Sequence, residues 1–393
     1  MRRWLLLVCG AVLSGWLAGC SGRSTSYIMI WHGWNEAETA VLTQSLALFA
    51  DIHPEIKVVA VATPANELQA RYTNAATSGL GPDILIGTSD WLATLYAANL
   101  VRPIAQDSTS GNIYQKSSLD ALTIDDHLYG IPLSLQTAAL YYNTTLVETP
   151  AKSLEALLGE AQAGKLVALG TQFERAFWGV RGFGQNLFAP SSEETEVEPY
   201  LSLVKWLVWL KEAQETPNII LGRDEVALRQ LFAEGRAAYY VGFPEELPIL
   251  QEALGKTAVN VVPLPLGPDG PAGPVLHVEA LLFNPHSNAD QLEAALVLGR
   301  FLTNEEQGAM LMRETQRVSA NRQVRVNRQT NPIVWGFSQQ ARTAVIPPQS
   351  PDWRTIVAVG DDVYTAVLAG EEEAGTAVCE FMTAIQLKPA ACE

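Results

Sequence analysis

Tyr27-Ile28-Met29-Ile30-Trp31-His32-Gly33-Trp34-Asn35-Glu36-Ala37-Glu38 is the stretch on which the fold turns. Tyr27 to Trp31 is an unbroken apolar run of strand length, and Gly33 ends it in a turn. Asn35, with Glu38 three residues later, has the form of a helix N-cap and its capping-box partner. Val41, Leu42, Leu46 and Phe49 then recur at helical spacing until Pro54 stops the helix. The alternation repeats outward. A strand is expected over 56–61, a helix over 66–78, a break at Gly79–Pro82, a strand over 83–87 and a helix over 91–98. Strand and helix in strict alternation predict an α/β fold with a parallel sheet, which binds ligands beyond the carboxyl ends of its strands.

Further along, 130–134 and 138–142 read as strands separated by the polar Gln136-Thr137. A second helix-and-strand series starts after Pro150, with helices over 198–214 and 225–233 and a strand over 237–241. The proline- and glycine-rich run from Pro263 to Pro274 reads as an extended loop, followed by a strand over 277–284 and a helix over 289–301. Ser191–Glu198 reads as a solvated acidic loop.

The chain has 393 residues, room for two or three lobes at about 100–200 residues each. Its formal charge of −16 repels phosphate backbones, so no nucleic-acid partner is expected. Arg2-Arg3, the apolar Trp4–Leu17 and small residues before Cys20 form a secretory signal, shorter than the roughly 20 residues a spanning helix needs. Residues 1–19 are thus expected to be removed on export. With Cys9 in the signal and Cys20 set aside at its end, Cys379 and Cys392 remain in an oxidising compartment, where a disulfide is expected.

Signatures of chemistry are weak. Gly159 to Gly164-Lys165 has the spacing of a phosphate-binding loop, but Leu166 stands where Ser or Thr would hold magnesium, and the run precedes a strand. Gly164 reads better as a helix C-terminal cap. There is no G-x-S-x-G elbow and no H-E-x-x-H helix. His277 and Glu279 share a strand face, too few ligands for zinc, so neither metal nor cofactor is expected. The aromatic residues say more. Trp31, Trp34 and Trp91 fall at or past strand ends, Trp178 lies in a glycine-rich loop, and Phe243 follows a strand directly. Aromatic faces beside polar side chains suit sugars; each residue taken singly suits a core better, and their coincidence with strand ends brings the set to an even balance.

Several phrases resemble the extracellular solute-binding proteins of bacterial ABC importers, the family that includes maltose- and other sugar-binding lipoproteins. They are Ile30-Trp31-His32-Gly33-Trp34, His53-Pro54-Glu55-Ile56, Gly81-Pro82-Asp83-Ile84, Tyr129-Gly130-Ile131-Pro132 and Ala139-Leu140-Tyr141-Tyr142-Asn143. Phe232-Ala233-Glu234-Gly235-Arg236 and Phe301-Leu302-Thr303-Asn304-Glu305 follow in the same order. Leu17-Ala18-Gly19-Cys20 likewise resembles a lipobox, which implies lipid on Cys20. The resemblance implies a two-lobed periplasmic-binding-protein-like α/β fold, each lobe a mostly parallel sheet flanked by helices. Three crossings are implied near 133–137, 277–280 and 327–330. Lobe one would be 21–134 with 280–328, lobe two 135–279 with 329–393, and 20–26 the lipidated tether.

Carried over by position, the resemblance implies that Trp31, His32, Trp34, Glu36, Asp90 and Trp91 line one wall of an interlobe cleft. Gln136, standing where relatives often have a glutamate, lies at the first crossing and Glu279 at the second, while Trp178 and Phe243 face them and Trp353 matches a tryptophan that relatives use for packing or stacking. The function implied is capture of a mono- or oligosaccharide by a monomer that delivers it to a membrane permease. Other solutes stay open at this point: a polyamine through Glu36, Asp90 and Glu279, a sugar phosphate through Arg181, or a peptide. A secreted glycosidase, whose paired carboxylates are assembled in space, also stays open.

Overall fold

The computed structural model describes residues 25–106, 113–188 and 199–385. The chain opens with β1 (Ser26–His32), α1 (Glu36–Ile52), β2 (Ile56–Ala62), α2 (Ala65–Thr77), β3 (Ile84–Thr88) and α3 (Ser89–Ala97). A short α4 (Lys116–Asp120) and the hairpin β4 (Thr123–Ile124) and β5 (His127–Leu128) lead to β6 (Gly130–Gln136) and β7 (Ala139–Asn143). The second series is α5 (Leu154–Gln162), β8 (Leu166–Gly170), α6 (Phe173–Ala176), α7 (Pro199–Gln214), β9 (Ile219–Gly222), α8 (Glu225–Ala233), β10 (Ala237–Gly242), α9 (Leu247–Leu254) and β11 (Val259–Val262). The chain then runs through β12 (His277–Phe283), α10 (Ala289–Leu302), α11 (Glu305–Thr315), β13 (Val318–Ser319), α12 (Pro332–Ala341), α13 (Trp353–Ala369) and α14 (Ala374–Ala384).

Local chemistry accounts for the boundaries. The Asn35 side chain accepts from the Glu38 amide and the Glu38 carboxylate accepts from the Asn35 amide, both at 3.0 Å, so the expected capping box starts α1. Gly164 has φ +100° just beyond α5, where the Lys165 amide returns to the Glu160 carbonyl at 3.1 Å. It is a C-terminal cap, and the phosphate-loop spacing is incidental.

The strands form a six-stranded sheet, β13-β6-β12-β3-β1-β2, and a five-stranded sheet, β11-β7-β10-β8-β9. Both are mixed, not mostly parallel. The βα units supply the parallel pairs β2-β1-β3 and β10-β8-β9, whereas β12, β6 and β13 pair antiparallel, as do β7, β10 and β11. Strands on the paths between the sheets account for the difference: a chain that leaves one sheet and returns enters from the opposite end. The chain passes from β6 to β7 between Gln136 and Ala139 and comes back before His277. Leu135, Gln136 and His277–Glu279 therefore belong to the first sheet, because His277 pairs with Gln136 and Glu279 with both Ser134 and Thr88.

Ile30, Ile84, Leu85, Ile131, Leu281 and Phe283 are fully buried under the helices of the first sheet. The second core is built on Tyr239, Val167, Trp206, Phe173 and Tyr364, also fully buried. A Cβ on Gly179 would come within 2.4 Å of the Trp206 ring, so only glycine lets this indole lie against the Phe177–Phe183 turn. No described helix is long and apolar enough to cross a membrane.

Candidate ligand-binding site

A cavity of about 660 Å³ opens between the two sheets, within the roughly 300–1,000 Å³ usual for small-molecule sites. One wall is made where β1, β3 and β6 end, by Gly33-Trp34, Gly87-Thr88, Trp91 and Gln136. The facing wall follows β10: Pro244, Glu245, Pro248, Gln251, Glu252 and Lys256. The site thus lies beyond strand carboxyl ends, as expected of open α/β sheets.

Its floor is an ionic knot. Trp34 Nε1 donates to Glu279 Oε1 at 2.7 Å and the Ser134 hydroxyl donates to Glu279 Oε2 at 3.1 Å. Arg317 donates from Nη1 to Glu279 Oε2, from Nη1 to the Ser134 hydroxyl at 3.2 Å, and from Nε to Glu38 Oε1 at 2.7 Å. Its guanidinium carbon also lies 5.4 Å from the centroid of Trp34. Burial pushes the Glu279 carboxyl above the usual carboxylate range, with Arg317 opposing and Glu38 reinforcing that rise.

Beside the cavity, His277 Nδ1 lies 2.7 Å from Asp90 Oδ1 and its Nε2 3.6 Å from Glu174 Oε1. It therefore links α3, packed on the first sheet, to α6, packed on the second. Burial works against its charge, but Asp90, Glu174 and Glu245 overcome this and raise it to about 9. Burial also opposes charge on Asp90, yet His277 and the Thr88 hydroxyl hold its carboxyl below the ordinary range. A raised histidine stabilises fully below its unfolded value near 6.5 and loses that contribution as pH rises through 9. A lowered aspartate stabilises above its unfolded range and loses the contribution in acid. The pair is accordingly worth most between about pH 5 and 6.5. His277→Gln is expected to cost about 2–3 kcal/mol there, with the gap to wild type narrowing by pH 9. Urea denaturation of both proteins across that range checks this, and a gap independent of pH would refute the charged pair.

Trp34, Trp91, Gln136 and Glu279 are brought together at the cavity. Asp90 is spent on His277. Phe243 is 8% exposed, with Arg175 over its ring at 4.8 Å and His277 at 5.7 Å, so it shores up the wall behind Pro244. The remaining expectations are corrected. His32 is 1% exposed and accepts the Trp34 amide at 3.3 Å, shaping the turn; burial lowers its pKa. Trp31 points away from the cavity and donates to Met29 Sδ at 3.2 Å, and Glu36 is exposed in the first turn of α1. Trp178 lies in the second core, 4.8 Å from Trp206, and Trp353 packs on Phe188 at 5.5 Å. Large rings bury more area there than at a cleft rim. Cys379 lies on α14, whereas Cys20, Cys392 and the signal lie outside the described residues.

Sequence reasoning missed Arg317, Glu245, Gln251 and Lys256, and it read Glu38 only as a cap. The capping pattern was a signal for half of that residue's role: Oε2 caps while Oε1 holds Arg317. Arg317 follows the left-handed Gln316 that ends α11 and carries no local pattern.

Residues 45–333, well over half of the chain, match the family described as bacterial extracellular solute-binding protein. The chain belongs to that family. A maltotriose-binding protein of Pyrococcus abyssi is 22% identical over 343 residues, 82% of this chain and 73% of that protein. A galactooligosaccharide-binding protein of Bacillus subtilis is 21% identical over 94% of this chain and 93% of its own. The solved structure of a cyclo/maltodextrin-binding protein complexed with maltotetraose superposes with a TM-score of 0.81 at 21% identity, covering 94% and 98% of the two chains. This solute-binding protein is an exported binding component of transport, not an enzyme. Among the described residues no group of three or more potential metal ligands occurs.

Proposed function

We propose that this protein captures a mono- or oligosaccharide in the cavity between its two sheets and delivers it to the permease of an ABC importer. The observation that carries this reading is the pairing of two indoles, Trp34 and Trp91, with Gln136 and Gln251 across one cavity. Flat apolar faces take the C–H surfaces of a sugar, and the amides both donate to and accept from its hydroxyls. Relatives whose names specify maltotriose and galactooligosaccharide support the same class. Each sheet with its helices acts as one lobe, and closure is a hinge motion driven by a ligand that touches both walls. Two features weigh against the other solutes. Asp90 and Glu279 are already engaged by His277 and Arg317, so a polyamine would have to rely on Glu245, Glu252 and Glu314 instead. Arg181, the arginine suited to a phosphate, donates to the Thr343 carbonyl away from the cavity.

The protein works as a monomer held at the outer face of the cell membrane by lipid on Cys20, a reading supported by the lipobox-like Leu17-Ala18-Gly19-Cys20. Cys20→Ala is expected to release it into the medium. A bond between Cys379 and Cys392 would staple the end of the chain. The test of ligand class is thermal unfolding with maltotriose, a galacto-oligosaccharide, spermidine and glucose 6-phosphate. A ligand at 100 times its dissociation constant adds about 2.7 kcal/mol, a rise of several degrees. Stabilisation by a saccharide is expected, and stabilisation by spermidine or the phosphate alone would overturn the proposal.

A further inference from the structure

We propose that Arg317 sets the charge selectivity of the cleft: by offsetting one of the two negative charges of Glu38 and Glu279 in its floor, it shifts the site's preference from ammonium-bearing solutes toward neutral, hydroxyl-rich ones. The inference deepens the saccharide reading and rests on it.

The observations are geometric. The Glu38 and Glu279 side chains are 12% and 8% exposed, and both meet the same guanidinium, itself 14% exposed. Two buried carboxylates side by side repel each other and lack water to screen them. Arg317 reaches them from a third direction, after α11, while Glu38 comes from α1 and Glu279 from β12. With it in place their oxygens are committed: Glu38 to Arg317 and the Asn35 amide, Glu279 to Arg317, Trp34 and Ser134. An incoming ammonium group finds both floor carboxylates engaged and is left with Glu245, Glu252 and Glu314 around the cavity, whereas a hydroxyl can add to the edge of the network without displacing an ion. Rejecting a competitor through the state of the site, as well as attracting the right ligand, is how specificity is commonly built. The same guanidinium backs Trp34, so the charge balance and the stacking surface are set together.

Arg317→Met uncovers two carboxylates, and Glu279→Gln removes one while keeping the arginine, so the two changes push selectivity in opposite directions. The experiment measures dissociation constants of wild type and both variants for maltotriose, the glucosamine trisaccharide and putrescine by calorimetry. Wild type is expected to prefer maltotriose. Arg317→Met is expected to shift the ratio of the two trisaccharide affinities toward the amino sugar by about tenfold or more, and Glu279→Gln to shift it the other way. Equal loss for both trisaccharides, or shifts of the same sign in both variants, would make Arg317 merely structural and overturn the proposal. If Arg317→Met fails to fold, the Glu279→Gln shift still decides it.

A second readout stands apart from sugar binding. The groups facing Arg317 are Glu38, Glu279 and, across the cleft, Glu245, with His32 beside Glu38. Without the guanidinium the Glu279 carboxyl rises further, and a raised carboxylate stabilises in acid and loses that contribution as pH rises. The stability deficit of Arg317→Met should therefore be larger at pH 8 than at pH 5, and an equal deficit would overturn the counter-ion role. If wild type binds neither trisaccharide, the saccharide reading falls. The pH arm and the gain of putrescine affinity in Arg317→Met then decide the role of Arg317.

Discussion

Trp178→Ala is expected to lower folding stability by about 3–5 kcal/mol, the usual cost of deleting a large buried ring, and to leave ligand affinity of the folded protein unchanged. The indole is 2% exposed and packs at 4.8 Å on Trp206, which stacks in turn on Trp209 at 5.0 Å and donates to the Ala176 carbonyl at 2.8 Å. The Trp178 carbonyl accepts the Gly273 amide at 2.8 Å, which ties the proline-rich segment down onto the second core. Collapse into the space left behind is resisted by Gly179, already in the closest approach that a backbone can make to Trp206. A fall in melting temperature on the order of 10 °C should follow. Calorimetric unfolding with titration of the stabilising saccharide separates the two effects. Loss of affinity without loss of stability would return Trp178 to the binding wall.

The complementary result is expected for Trp91→Ala: a loss of about 2 kcal/mol in binding, roughly thirtyfold in dissociation constant, with a minor change in stability. Trp91 lines the cavity and is only half-buried. It lies flat because β3 offers a glycine beneath it; a Cβ on Gly87 would come within 2.9 Å of the ring. Gly87→Ala should therefore weaken binding in the same sense by displacing the indole. Titration of each variant checks both, and an unchanged affinity in Trp91→Ala would remove the stacking platform from the proposal.

The contrast between these two tryptophans shows where sequence reading stops. The sequence places Trp91 past a strand end and Trp178 in a glycine-rich loop, and neither context decides between core and cleft. Trp91 is half-exposed because the second sheet stands across a gap from it. Trp178 is buried because α7 lays Trp206 over it, a contact between an irregular turn and a helix some thirty residues away. Trp353 is buried for the same kind of reason, by Phe173 and Phe188. By contrast, the resemblance to the family put Gln136 and Glu279 at crossings between lobes, and the two residues lie on the paired strands β6 and β12.

The sequence by itself determined the strand–helix alternation of the opening segment, the capping box of α1 and the α/β class, because those rest on patterns within a dozen residues, and phrases in a particular order carried the resemblance to the family. Only the tertiary structure decided which sheet pairs are antiparallel, which rings face the cavity and what charge its floor carries. The deciding contacts join residues far apart in the chain: Trp34 and Glu279 are 245 positions apart, and Arg317 and Glu38 are 279. Periodicity tells a residue which face of its own element it occupies. What lies against that face, whether a core, a counter-ion or a solvent-filled cleft, is set by elements that periodicity does not place.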